Sequence, residues 1–446
     1  MEWLKIQYEQ NPEALCINNW TFKEVYIKVI SLARKLNRCV EQEPRIGLLM
    51  ENSPESVLLL YALLLLKKEV LMLNIRLTEK EIHDQTEKLN IKTVISSKNQ
   101  YLDFEDITRL PEQEIELDWE TDEEQIAVIM NTSATTGSFK SVPIRWKQVY
   151  AHVKASAQVL GVFKEDNWLV ILPIFHVSGL SILFRSLYNG TRVTICKYKK
   201  ELVLELIKKG SVNMVSMVPT MLKDMINDIQ ENRLRMLLLG GEFIPQLLIY
   251  RCMEIGIPVY KTYGMTETFS QSTTFNILEF PEKIDSVGKP LPGVKIFIKN
   301  PDKDGIGEIW LKSPMLINGY MGRKVITGYF NTKDIGYLDK EGFLYILNRR
   351  EDIIISGGEN IYPKEIEDLL YQMQGIKECA VVGQEDERWG YIPVLYIVSE
   401  LPEEIVRNYL EGKLAGYKVP KKILYRKELP KNASGKIVRK LLQEKL

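Results

Sequence analysis

The 446-residue chain reads as an α/β protein with a large N-terminal domain and a smaller C-terminal one. Three observations carry that reading. Short apolar runs alternate with helical patterns early in the chain, the texture past Ser286 changes to short alternating strands, and helical periodicity resumes only after Pro363. The apolar runs are Gln125 to Met130, Asn167 to Ile174, Asn213 to Val218, Met236 to Leu239 and Pro258 to Tyr263. Continuous Val/Ile/Leu runs suit parallel strands covered by helices on both faces, and ligands of such sheets sit at the carboxyl ends of the strands.

The remaining elements follow the same logic. Val57 to Leu66 is too short to span a bilayer, which takes about 20 apolar residues, and is closed by Lys67-Lys68, so it predicts a buried helix. Ser53 caps that helix and Pro54 occupies its first turn, where no N–H partner is needed. Val294 to Lys299 and Glu308 to Lys312 predict a small antiparallel unit. From Glu351 to Leu446 there is chain enough for a separate domain with its own core.

Composition narrows the function classes. Lys and Arg number 59 against 59 Asp and Glu, so no charge excess points to nucleic acid. Cys16, Cys39, Cys196, Cys252 and Cys379 show no C-x-x-C spacing, which argues against a zinc site or a disulfide framework and fits a reducing cytoplasm. Met1-Glu2-Trp3-Leu4-Lys5 lacks the apolar core of an export signal, and no basic amphipathic helix marks a membrane anchor.

Four segments could carry chemistry. Thr132 to Ser141 offers hydroxyls, small residues and Lys140 directly after a strand, a composition suited to cradling polyphosphate and equally to a polar surface turn. It lacks the G-x-x-x-x-G-K-[ST] spacing of a Walker A loop. Tyr263-Gly264-Met265-Thr266-Glu267-Thr268 places a hydroxyl beside a carboxylate, which suits Mg²⁺ or a helix N-terminus. Tyr345 to Pro363 packs charges between apolar strands around Gly357-Gly358 and reads structurally as an interdomain connection. Leu429 to Lys440 is a charge cluster that would otherwise be a solvated tail.

In this order the four segments resemble the adenylate-forming enzyme superfamily, which includes acyl-CoA synthetases, luciferase and the adenylation domains of peptide synthetases. The resemblance runs from Asn52-Ser53-Pro54-Glu55 to Lys436. Within the superfamily, Leu172 to Ser181, Leu239-Gly240-Gly241-Glu242 and Tyr263 to Thr268 are most similar to the o-succinylbenzoate-CoA ligases of menaquinone biosynthesis. The resemblance implies a large adenylation domain over 1–350, with a β-barrel-like unit at about 286–350, and a small, mobile α+β domain over 351–446. It also implies an ATP- and Mg²⁺-dependent enzyme that adenylates a carboxylic acid and passes the acyl group to CoA.

By the same resemblance Ser133, Thr135, Thr136, Gly137 and Lys140 would hold the phosphates, and Glu267 with Thr266 would hold Mg²⁺. Gly241, Glu242, Tyr263 and Gly264 would line the adenine slot, with Asp334 and Arg349 at the ribose. Lys436, Thr136, Glu267 and His176 would act at the reacting groups, Glu351 would be the hinge, and Ser356, Gly357 and Gly358 would approach CoA. The acid would meet His176, Ser178, Gly179, Leu180, Ser181, Thr262, Ser270 and Gln271, with Arg185 for a second carboxylate. His176 also reads as a strand-end histidine satisfied by backbone, while His83 and His152 suggest no role.

Ala134, Phe139 and Ser141 depart from the family's phosphate loop, and Lys333 stands where a Gly usually precedes the ribose-binding Asp. Lys333 either misplaces Asp334 or reaches the nucleotide. These departures predict an active ligase with weakened ATP binding and keep a non-catalytic homologue open as a third reading, beside another acyl-CoA ligase or a carrier-loading enzyme. The oligomeric state, a homodimer included, is not fixed by the sequence.

Overall fold

The computed structural model describes residues 1–97, 101–133, 139–229, 231–241, 244–349, 352–356, 359–386, 389–414, 416–431 and 437–443. Among them the chain forms four sheets. In a five-stranded sheet Val94–Ser96, Arg45–Leu49, Glu69–Met72 and Ile126–Ser133 run parallel, and Phe139–Arg145 closes one edge antiparallel. In a nine-stranded sheet Arg192–Ile195, Asn167–Val170, Met214–Met217, Met236–Gly240 and Val259–Met265 are parallel neighbours in that order, and Ser270–Asn276 returns antiparallel. One apolar cluster spans both sheets and includes Leu48, Leu60, Val128, Val170 and Phe184.

The helix Pro54–Leu65 lies inside, with every residue from Ser56 to Leu65 buried. Ser53 Oγ accepts from the Ser56 N–H at 3.2 Å, as the sequence suggests. A helix apolar on all faces belongs in a core. Among the described residues no helix is long and apolar enough to cross a membrane.

Two strand expectations are corrected. The strand beginning at Asn167 stops at Val170 rather than Ile174. Pro173 has no N–H to donate to a ladder, and the buried Asn52 side chain takes over the hydrogen bonds beyond the strand. Its Nδ2 donates to the carbonyls of Val170 (3.3 Å) and Leu172 (2.9 Å), while its Oδ1 accepts from the Ile174 N–H at 3.0 Å. The strand beginning near Gln125 continues to Ser133 and is followed not by a helix but by the antiparallel strand Phe139–Arg145, with Ser133 opposite Phe139. The two ends of the expected phosphate loop, Thr132-Ser133 and Phe139 to Ser141, therefore lie on paired antiparallel strands, and residues 134–138 lie outside the described ones.

The strands Lys295–Lys299, Gly307–Lys312, Phe330–Leu338 and Leu344–Arg349 form an antiparallel meander. Beyond it, Ile354–Ser356, Glu359–Ile361, Ile376–Asp386, Gly390–Ser399 and Lys422–Tyr425 make a separate sheet, packed against the helix Pro363–Leu370 and others. This small α+β unit has its own apolar clusters, on Ile366, Val381 and Leu395 and on Val382, Val394 and Tyr396.

Asn52→Ala should lower stability by about 2 kcal/mol, because the Leu172 carbonyl and the Ile174 N–H lose the Asn52 amide, while the Val170 carbonyl keeps the Cys196 N–H as a second donor. A urea melt with unchanged slope and a lower midpoint would show it; an unchanged midpoint would mean that water replaces the amide.

Candidate active site

The candidate site gathers on the turn that joins Val259–Met265 to Ser270–Asn276. Gly264 is required there, since an added Cβ would lie 1.6 Å from the Ser270 carbonyl oxygen. Phe269 and Ser270 take φ of +52° and +106°. Non-glycine residues rarely adopt such backbone, and it concentrates at functional turns.

On one side of the turn, the Tyr263 hydroxyl donates to Asp334 Oδ2 at 2.5 Å. Asp334 is 5% exposed and stands opposite Arg349 in the meander. Tyr263 of the predicted adenine slot and Asp334 of the predicted ribose site are thus in contact. Lys333 has φ of +65°, so it fills a left-handed position that favours Gly. Its N–H donates to Asn331 Oδ1 at 2.7 Å, and Asp334 keeps its bond to Tyr263. Both readings of Lys333 are compatible with this arrangement.

On the other side, Glu267 Oε1 accepts from the Tyr320 hydroxyl at 2.8 Å, and the Glu267 carbonyl accepts from the Ile317 N–H at 2.9 Å. Burial, and then the Glu267 charge, push the Tyr320 phenol well above its ordinary value, so it remains a donor. Lys140 Nζ lies 5.3 Å from the centre of the Tyr320 ring. Tyr320 thus links the predicted phosphate lysine to the predicted metal carboxylate. Sequence reasoning missed it, because a tyrosine within Asn318-Gly319-Tyr320-Met321-Gly322 looks like ordinary loop texture.

The acid-pocket residues separate into two groups. His176 caps the helix Val177–Asn189 through its carbonyl, which accepts from Leu180 N–H at 2.9 Å, while its ring packs edge-on to Phe175. Ser178 is half-buried beside it, and Gly179 has no room for a Cβ, which would fall 2.4 Å from the Leu172 and Pro173 carbonyl oxygens. Leu180 lies within the main core, and Ser181 is buried. Thr262 Oγ1 donates to the Thr273 carbonyl at 2.8 Å. Gln271 is fully engaged, accepting from Ser156 Oγ and donating to Thr274 Oγ1, each at 2.8 Å. Gln271 therefore joins the hairpin to the helix Trp146–Leu160.

Arg185 is 1% exposed. Its Nε and Nη2 point at His152 Nε2, at 3.1 and 2.8 Å, and Nη2 is also 3.4 Å from Ser270 Oγ. The guanidinium lies over the Trp168 ring at 5.2 Å. Burial pushes it down to about 9, so it stays charged at neutral pH. His152, dismissed at the sequence level, is fully buried on the apolar face of its helix, with Val149 and Val153. That position on an apolar stripe was the available signal.

Thr135, Thr136, Gly137, Glu242, Glu351, Gly357, Gly358 and Lys436 lie outside the described residues, as do Ala134 and the side chains of Ser133 and Arg349. Gly241 is exposed with φ of +86° at the end of Met236–Gly240, and Thr266 opens the short turn that carries Glu267. Ser356 is buried in the hairpin Ile354–Ser356/Glu359–Ile361. All five cysteines are free.

The chain belongs to the AMP-binding enzyme family, whose model matches residues 4–321, with the AMP-binding enzyme C-terminal domain at 365–436. It is 53% identical to the 2-succinylbenzoate–CoA ligase of Lactococcus lactis, over 99% of this chain and all of that one. It is 36% identical to the ligase of the same name from Bacillus cereus, over 95% and 93% of the two chains. Among solved structures, o-succinylbenzoate CoA synthetase from Bacillus subtilis with its acyl-adenylate intermediate matches with a TM-score of 0.93 at 34% identity, over 99% and 98% of the two chains. The same enzyme with ATP and magnesium ion matches at 0.91 and 35%, over 99% of each chain.

Lys333→Gly should stabilise the protein by about 1 kcal/mol by relieving the left-handed strain. With Asp334 bonded to Tyr263, the KM for ATP should stay within about twofold; a larger rise would show that Lys333 contacts the nucleotide, and a larger fall that it weakens ATP binding.

His152 predicts a pH dependence of stability. Burial, reinforced by the Arg185 charge, holds its imidazole well below the usual 6.5. The unfolded chain takes up a proton near that usual value and the folded chain does not. The neutral-histidine contribution is therefore complete above about pH 6.5 and declines below it by up to about 1.4 kcal/mol per pH unit. Urea melts at about pH 5.5 and about pH 7.5 should show a smaller difference for His152→Gln than for the natural protein.

Proposed function

We propose that the chain is an AMP-forming ligase that adenylates 2-succinylbenzoate and transfers the acyl group to CoA. One observation carries the reading: Tyr263–Asp334 on one side and Lys140–Tyr320–Glu267 on the other meet at a single turn, giving a nucleotide site flanked by a cation and a carboxylate. The Lactococcus relative and the buried Arg185, which suits a second carboxylate, support this choice of acid.

A carboxylate resists a thiol because it is anionic and its leaving group would be oxide. Joining it to AMP removes both obstacles. A carboxylate oxygen attacks the α-phosphorus in line, and the bond to the bridging oxygen breaks with its electron pair leaving on pyrophosphate. The CoA thiolate then attacks the acyl carbon, and AMP leaves.

The first step presses two anions together, so positioning and charge neutralisation dominate. Lys140, with Ser133, Thr135, Thr136 and Gly137, receives the phosphates, and Lys436 bridges the carboxylate and the α-phosphate. Glu267 and Thr266 fit Mg²⁺, which supplies positive charge at the phosphate oxygens. Among the described residues no cluster of three or more His, Cys, Asp or Glu exists, and Mg²⁺ held by one carboxylate, phosphate and water needs none. Between steps the small domain turns at Glu351, withdrawing Lys436 and bringing Ser356, Gly357 and Gly358 toward CoA. His176 and Ser178 stand at the acyl pocket.

The test is carboxylate-dependent pyrophosphate release with 2-succinylbenzoate, benzoate, coumarate and fatty acids. Release should be fastest with 2-succinylbenzoate, and Lys436→Ala should slow it by about 10²-fold or more. Absence of release with every acid would defeat the ligase reading.

A further inference from the structure

The buried pair formed by Arg185 and His152 is built unlike two partly buried arginine sites of this protein. Arg235 donates to both oxygens of Asp166 at 2.5 Å, and Arg439 donates to both oxygens of Glu367 at 2.6 Å. Each of those charges is neutralised within the protein. Arg185 has no carboxylate partner among the described residues, and its Nη1 is buried there without any hydrogen-bond partner. Leaving a guanidinium uncompensated in an apolar setting is costly, so the arrangement calls for an anion supplied from outside the fold.

His152 fixes the geometry without cancelling the charge. A guanidinium only donates hydrogen bonds, so Nε2 must be the acceptor and the imidazole proton must sit on Nδ1. Its two contacts with Arg185, at 3.1 and 2.8 Å, engage the Nε and Nη2 edge of the fork. The ring itself is fixed by an edge contact with Phe269, centre to centre 5.4 Å, in the turn that carries Ser270. A carboxylate in the same place would hold the fork as firmly but would leave no net charge.

We propose that His152 is a positioning and specificity-determining residue: a neutral acceptor that orients the Arg185 guanidinium while leaving its charge for the second carboxylate of the acid. This rests on the reading above that Arg185 receives that carboxylate.

The experiment compares the intact enzyme with His152→Asp, His152→Gln and Arg185→Gln in steady-state pyrophosphate release. The acids are 2-succinylbenzoate and two mono-acids that each lack one carboxylate, 4-oxo-4-phenylbutanoate and 2-propanoylbenzoate. A melting temperature is recorded for every variant. His152→Asp supplies an internal counter-charge and should raise the KM for 2-succinylbenzoate at least tenfold. It should leave the KM for ATP and the rate with the accepted mono-acid within about twofold. His152→Gln keeps a neutral acceptor and should retain most of the preference for the diacid. If Arg185→Gln lowers the diacid preference but His152→Asp does not, the role of His152 is overturned while that of Arg185 stands. If Arg185→Gln leaves the preference intact, the reading of Arg185 itself fails. Equal loss with diacid and mono-acid in His152→Asp, together with a lowered melting temperature, would assign His152 a structural role only and would also overturn the proposal.

Discussion

Bringing two anions into bonding distance requires positive charge that is fixed in place and not already spent on the protein's own carboxylates. Much of the site can be understood from that requirement. Arg185 is held by a neutral imidazole and the face of Trp168, and Lys140 lies over the face of Tyr320. Ring faces and neutral acceptors attract a cation without cancelling it, at roughly 0.5–2 kcal/mol each. Arg235, away from the site, is instead closed off by Asp166. Arg185 and Lys140, the cations of the proposed site, thus differ from Arg235 in having no carboxylate partner among the described residues.

The carboxylate side obeys the complementary rule. Glu267 Oε1 accepts from the Tyr320 phenol, and Asp334 Oδ2 accepts from the Tyr263 phenol. Tyr263 and Tyr320 serve one purpose at the two ends of the same turn. In each of these two contacts the donor is an uncharged phenol. Replacing either with a basic residue would hold the carboxylate more tightly and make it a poorer acceptor for ribose hydroxyls or a cation.

How much of this could be read from the sequence depended on how local the signal was. The buried helix Pro54–Leu65, the existence of strands beginning near Met236 and Pro258, and the change to antiparallel texture after Ser286 are patterns within one segment, and the fold reproduces them, with the second strand running on to Met265. The stop at Val170 was not legible, because it depends on Asn52, more than a hundred residues upstream. Tyr320 and His152 were missed for the same reason. Their importance lies in what they touch across the fold, and composition assigned one to a loop and the other to a helix interior. Gln271 was placed in the pocket by resemblance, and its long-range bond from Ser156 is set by tertiary pairing, whereas its bond to Thr274 is local.

The contact between the small C-terminal unit and the rest of the chain adds a last constraint. Lys364 Nζ donates to the Ile346 carbonyl at 2.7 Å, and Lys223 Nζ to the Lys377 carbonyl at 3.3 Å. Lys261, on the strand that carries Tyr263, is 4% exposed and donates to the Ile284 carbonyl. Burial, and then the nearby Lys364, push it down to about 7. On the helix Pro363–Leu370, burial pushes the Asp368 carboxyl up to about 8. Asp368 is attracted to Lys364 and more weakly to Lys261, the two lysines repel each other, and burial opposes the charge of both Lys261 and Asp368. An apolar contact of the same extent would hold one orientation firmly. A contact built on near-cancelling terms loses little when water returns to it, which is what the proposed two-step reaction asks of a domain that must be in place for adenylation and out of the way for thiol attack.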